Sequence, residues 1–185
     1  MTITRRILAT RRHLLVAALA ALAIPAYAID YREISWDDLV PKDWDPMKSF
    51  RDLQNLGALP DTDPRIQKLY DQMRQVWDSA PTVPAMQGKE GRIAGYLVPL
   101  EEGKQGIREF LLVPYFGACI HLPPPPANQI VHVRTSTPVR GLRSMDAVWV
   151  SGRFGLQRSD STLGVSGYTM TADSVTKHQG PGGKP

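Results

Sequence analysis

The chain has 185 residues, 22 basic and 18 acidic side chains, a formal net charge of +4 and a single cysteine. One cysteine excludes an intrachain disulfide framework, and this length suits one domain with a real hydrophobic core. The net positive charge is no argument for nucleic-acid binding, because Arg5, Arg6, Arg11 and Arg12, all near the N-terminus, account for the whole of it.

Residues 1–28 have the composition of a signal peptide. The four arginines form a basic stretch, Leu14 to Ile24 an apolar one, and Ala26-Tyr27-Ala28 a small-x-small cleavage pattern. The apolar run falls short of the roughly 20 residues that a membrane span needs. Cleavage leaves a mature chain beginning at Ile29, with no transmembrane segment; an uncleaved N-terminal anchor is the alternative. The stretch Thr10 to Leu15 also resembles a twin-arginine signal, so export to the periplasm runs by the general secretory or the twin-arginine route. No cysteine follows the apolar run, which excludes lipidation there.

Residues 29–90 form an N-terminal irregular and helical segment expected to pack on the β-domain C-terminal to it. Trp36, Leu39, Val40 and Trp44 read as anchors of a docked segment, or as a mobile arm that binds a partner. A helix then begins with Asp63 as N-cap and Pro64 in the first helical position. Ile66, Leu69, Tyr70, Met73, Val76 and Trp77 recur at helical spacing as one apolar stripe, expected to face a core, and Pro81 ends the helix.

From Gly91 the pattern changes to short runs rich in β-branched and aromatic residues, separated by Gly, Pro and polar turns. Five strands are expected, over residues 92–100, 107–115, 129–135, 146–154 and 167–175. Gly95 and Gly152, inside strands, suit the sharp bends of a small barrel. The fold expected is mainly β with an N-terminal helical segment (α+β): a five-stranded OB-like barrel over 91–176, preceded by an amphipathic helix. Residues 177–185 lack apolar content and read as a disordered tail.

Cys119 and His121 stand two apart before the tetraproline Pro123, Pro124, Pro125, Pro126. In extended backbone the pair would share a face, and the prolines, followed by Asn128 and Gln129, would form a stiff polyproline corner. Cys-x-His supplies two ligands suited to zinc or copper, whereas a structural zinc site usually takes four. His132, His178, Asp146 and Glu109 are the further donors that the fold would have to bring near. A nucleophilic reading needs an oriented third group and an oxyanion hole. The remaining reading is a buried thiol beside a histidine that hydrogen-bonds the corner.

The stretch Leu111 to Val133, together with "SWDDLVP" and "IAGYLVPLE" upstream, resembles the bacterial family known as domain of unknown function 3299. The resemblance runs from about Tyr31 to Val175, and its core is Cys119-Ile120-His121 followed by the prolines and Asn128-Gln129. It implies an exported or lipid-anchored envelope protein associated with ABC transporter components, without a known catalytic activity. Lacking a lipid-attachment cysteine, this chain departs from the anchored members and fits a soluble periplasmic form. The function expected is a non-enzymatic periplasmic binding or accessory protein, with envelope ABC transporter components as partners and no nucleic acid. The alternative is a periplasmic zinc- or copper-handling protein using Cys119 and His121.

Overall fold

The structure, a computed structural model, describes residues 30–48, 50, 60, 62–101, 103, 105–119 and 124–178. Residues 1–28, where a signal peptide is expected, His121, Pro123 and the residues beyond His178 lie outside the described residues.

Five strands make the barrel: β1 (Glu90–Pro99), β2 (Ile107–Val113), β3 (Val131–Val139), β4 (Ala147–Gly155) and β7 (Tyr168–Lys177). Between β4 and β7 lies a two-stranded hairpin, β5 (Ser159–Ser161) and β6 (Gly164–Ser166). The barrel order is β1-β2-β3-β7-β4, with β4 closing back on β1. Its pairings are antiparallel except for parallel β3–β7. The class is therefore mainly β, a closed five-stranded barrel with one α-helix among the described residues, α1 (Pro64–Asp78), ahead of it in the chain. No helix among the described residues is long and apolar enough to cross a membrane.

Alternation along the strands puts Ile93 and Leu97 of β1, Phe110 and Leu112 of β2, and Val131 and Val133 of β3 in one buried cluster. Gly152 is where β4 bulges against β7, and a Cβ there would stand 2.2 Å from the Thr171 carbonyl oxygen. At Gly95 a Cβ would stand 2.8 Å from the Val113 carbonyl oxygen and 3.0 Å from the Trp36 ring. Both positions need glycine because backbone or an aromatic ring takes the space of a side chain.

The segment before the barrel joins the same core. Ile34, Leu39 and Met86 are buried in the barrel cluster, and the Trp36 indole N–H donates to the Ala94 carbonyl at 2.7 Å. A 3-10 turn over Trp36–Leu39 is held by a capping box between Ser35 and Asp38. Tyr168, fully buried on β7, ties the pieces together. Its hydroxyl donates to the Leu39 carbonyl at 2.8 Å and accepts from the Val83 N–H at 2.6 Å.

Helix α1 starts and stops as its caps dictate. The Asp63 side chain accepts from the Arg65 N–H, Pro64 occupies the first turn, and the Ser79 hydroxyl donates to the Gln75 carbonyl at 2.7 Å. The apolar stripe differs from expectation. Only Ile66 is buried; Leu69, Met73, Val76 and Trp77 are half-buried, and Tyr70 is 46% exposed. The barrel is closed and filled from within by its own strands and the segment before it, and α1 lies against β6 of the hairpin, which leaves part of the stripe uncovered. The barrel's last strand also runs further than expected. Lys177 pairs with Val148, and the His178 N–H donates to the Ala147 carbonyl at 2.8 Å, because β4 continues to offer a partner edge.

Candidate functional site

In OB barrels the outer face of strands 2 and 3, with the loops beside it, is the usual ligand surface. Here that face has a roof. Tyr96 and Val98 of β1 and Leu111 and Val113 of β2 point outward into a second buried cluster with Ala118 and Ile130. Cys119, Met145 and Leu163 pack against its margin. The connector from β2 to β3 and the tip of the β5–β6 hairpin therefore cover what this fold usually leaves open.

His132, on the outer side of β3, is 3% exposed. Its Nδ1 lies 2.9 Å from the Ser159 hydroxyl and its Nε2 3.1 Å from Glu109, which also pairs with Arg134 at 3.4 Å. Burial, and then the Arg134 charge, hold His132 below its ordinary range, against the raising effect of Glu109. Serine, histidine and carboxylate thus stand in a row, but Ser159 does not line the groove between α1 and the β5–β6 hairpin. The arrangement pins the hairpin to β3. Nothing in the local sequence announces it, since its members come from β2, β3 and β5.

The polyproline corner is part of the roof. Pro126 has φ −54° and ψ 150°, polyproline geometry, and Pro125 is buried while Pro124 is half-buried. Asn128 is fully buried, and its side-chain amide donates to the Pro81 carbonyl at 3.0 Å, just beyond α1. Its Oδ1 has no hydrogen-bond partner among the described residues. Gln129 donates to the Trp36 carbonyl at 3.2 Å. Both side chains are ties between the corner and the N-terminal segment.

Cys119 departs from the extended backbone expected of it. Strand β2 ends at Val113, and Cys119 has φ 65°, in the left-handed region after Gly117 at φ 87°. The thiol is half-buried, and burial pushes its pKa up to about 11, so it is protonated at neutral pH. A thiol must lose its proton to ligate a metal or attack as a nucleophile. Glu109 is committed to His132 and Arg134, whereas Asp146 accepts from the Arg143 N–H at 3.0 Å and lies 3.7 Å from Lys177. The His178 ring lies 5.5 Å from that of Trp149. Among the described residues, no three His, Cys, Asp or Glu side chains gather as a metal site would require.

On the other side of the roof lies a groove of about 790 Å³ between α1 and the β5–β6 hairpin. Tyr70, Met73 and Trp77 form its aromatic and apolar helix wall, and Asp71, Arg74 and Asp78 its charged helix residues. Leu163 and Val165 line the hairpin side, with Cys119 and Pro124 between. Gly164, at φ 144°, lets the hairpin lie this close: a Cβ there would stand 3.1 Å from Pro124 and 3.8 Å from the Cys119 sulfur. The volume is that of a small-ligand site. The stripe on α1 was the signal for it, legible in the sequence as apolar but not as uncovered.

The sequence profile of the family described as Protein of unknown function (DUF3299) matches residues 36–177. The chain belongs to this family. A crystal structure of a DUF3299 family protein from Pseudomonas aeruginosa PAO1 is similar at 36% identity and a TM-score of 0.63, covering 82% of this chain and 98% of that one. The yobA protein of Bacillus subtilis is 14% identical with a TM-score of 0.30, over 50% of this chain and 98% of that one. A small single-stranded DNA-binding protein from Streptomyces coelicolor is 13% identical with a TM-score of 0.30, over 51% and 97%. No curated protein matches the chain.

Proposed function

We propose that this chain is an exported, non-enzymatic binding module of the cell envelope whose binding site is the groove between α1 and the β5–β6 hairpin. The observation that carries the reading is the half-exposed aromatic wall of α1 over a cavity of about 790 Å³. Export is supported by the composition of residues 1–28. The non-enzymatic part is supported by a thiol held protonated and a histidine held under the hairpin. A nucleic-acid ligand is disfavoured because the usual OB binding face is roofed and the positive charge sits in the signal segment. The family resemblance further suggests an envelope ABC transporter as the assembly served.

Two measurements test this. The neutral apolar dye Nile red is expected to bind the mature chain saturably, with the signal lost in Trp77→Ala; no saturable signal removes the groove as a site. Pull-down from envelope extracts with the mature chain as bait is expected to recover transporter subunits. Their reproducible absence removes that association and leaves the groove reading standing.

A further inference from the structure

The β5–β6 hairpin forms one wall of the groove, through Leu163, Gly164 and Val165, yet it is no part of the barrel sheet. Its strands are three residues each and pair with one another. A two-stranded hairpin is marginal alone, so its ties to other elements decide where it lies. Arg158 supplies one tie. Its guanidinium, paired with Asp160 at 2.9 Å, donates to the Asp78 carbonyl at the end of α1. That side chain is 51% exposed, so water replaces the bond readily when the hairpin moves. Ser159 supplies the other, on the 3% exposed His132, where burial leaves nothing to replace it.

The chemistry of the buried tie depends on protons. The Glu109 carboxylate only accepts, so the neutral ring keeps its hydrogen on Nε2 and leaves Nδ1 bare to accept from the Ser159 hydroxyl. A second proton goes to Nδ1. It turns this acceptor into a donor that faces a hydroxyl hydrogen. It also places a cation under the hairpin beside Arg134, with which Glu109 is already shared. Glu109 from β2, Arg134 from β3 and Ser159 from β5 are the polar and charged groups that face the ring. The residues in register with His132, Leu111 on β2 and Thr169 on β7, add no titratable group. Burial, and then Arg134, favour the neutral ring and hold its pKa down. Once the hairpin lifts off, the imidazolium is hydrated, so the open form binds the proton more tightly than the closed one. Linkage then requires acid to favour opening.

Resting on the reading of this groove as the binding site, we propose that the hairpin is its gate, latched to β3 by the Ser159–His132 bond and released when His132 is protonated. An apolar occupant lying against Leu163 and Val165 leaves faster from the open form, so acid speeds its release. With an ordinary histidine value near 6.5 in the open form, going from about pH 7.5 to about pH 5.5 multiplies the open population by roughly tenfold at most.

Hydrogen exchange and stopped-flow release of Nile red from the full mature chain, each at about pH 7.5 and about pH 5.5, test the gate. Protection factors, from which the intrinsic pH dependence of exchange is already removed, are expected to fall about fivefold with acid over residues 159–166 while those of β1 hold. Nile red dissociation is expected to quicken by the same factor. His132→Gln keeps a donor for Glu109 and an acceptor for Ser159 but does not titrate, and it is expected to lose both responses. Ser159→Ala keeps the ring and is expected to lower hairpin protection about fivefold already at neutral pH, equivalent to one net hydrogen bond. Hairpin protection that is indifferent to acid in the wild type overturns the proposal, and so does an acid response that His132→Gln retains. A hairpin that opens with acid while Nile red release stays constant overturns the gate and keeps the groove as a site. If Nile red binds at neither pH, the reading of the groove as the site falls and its gate with it, whereas the exchange data still decide whether His132 latches the hairpin.

Discussion

Phe154 in β4 and Trp77 in α1 are large aromatic residues on regular elements, each within an apolar pattern. Phe154 is 1% exposed and its ring meets that of Tyr168 edge-on at 6.4 Å, whereas Trp77 is half-buried beside open space. The barrel interior is a closed problem: every strand has two partners, and inward residues have nowhere else to go. The groove is an open one. Its helix lies against β6 of the hairpin, and that hairpin pairs with itself outside the closed barrel. Apolar residues inside the barrel therefore specify the fold, and those on α1 remain available to a ligand. Substitutions in the two regions should separate along this line.

The largest effect is expected at Gly152. An alanine Cβ would stand 2.2 Å from the Thr171 carbonyl oxygen, so β4 and β7 would have to part at their bulge. Gly152→Ala is expected to cost about 3 kcal/mol or more, read by urea unfolding. An unchanged midpoint would show that this seam is looser than its geometry.

Tyr168→Phe tests the junction between the barrel and the segment before it. Losing the hydroxyl leaves the Leu39 carbonyl and the Val83 N–H without their shared partner in a buried place. The expected cost is roughly 2–4 kcal/mol. Hydrogen exchange should rise at Leu39–Val40 and Val83 before it rises in the strands. Uniform change across the barrel would mean that the two parts do not separate.

The division between closed and open regions also explains what the sequence discloses. The five barrel strands are legible because alternation of β-branched residues is local, and closure only enforces it. The position of Cys119 is not: a left-handed φ is a demand of the connector, and cysteine carries no mark of it. Asn128 and Gln129 stand out by their setting after the prolines, yet their partners, Pro81 and Trp36, are 47 and 93 residues away. The β5–β6 hairpin hides in a polar loop because its strands are three residues each and carry serines. Most instructive is α1, whose stripe has the right period and the wrong implication. Periodicity reports that a face is apolar, and only the packing of the rest decides whether anything covers it.

Acid should act on the roof before the barrel. His132 is held neutral by burial and by Arg134, so its folded pKa lies below its unfolded value. Such a group contributes fully above the unfolded value of about 6.5, and that contribution is lost as pH falls below it, because the unfolded chain then binds the proton more readily. Glu109, Arg134 and Ser159 are the groups facing the ring. Lowering pH from about 7.5 to about 5 should narrow the stability difference between wild type and His132→Gln. A difference that widens would reverse the sign and place His132 above its ordinary range.

The smallest effect is expected where the groove reading is most exposed. Burying an aromatic fully makes its removal cost about 3–5 kcal/mol, which is the expectation for Phe154→Ala. Trp77 has one side on α1's neighbours and the other on the groove, so less area returns to water when it is cut back and less cavity is left behind. Trp77→Ala should therefore cost about 1 kcal/mol, close to an ordinary surface change. Thermal unfolding of the two variants side by side measures the contrast. If Trp77→Ala destabilises as much as Phe154→Ala, the helix wall is a structural face that the groove merely borders. If it is nearly silent in stability while Nile red binding disappears, a large aromatic is being kept half in water at little benefit to the fold. Its place on α1 is then explained by what it binds.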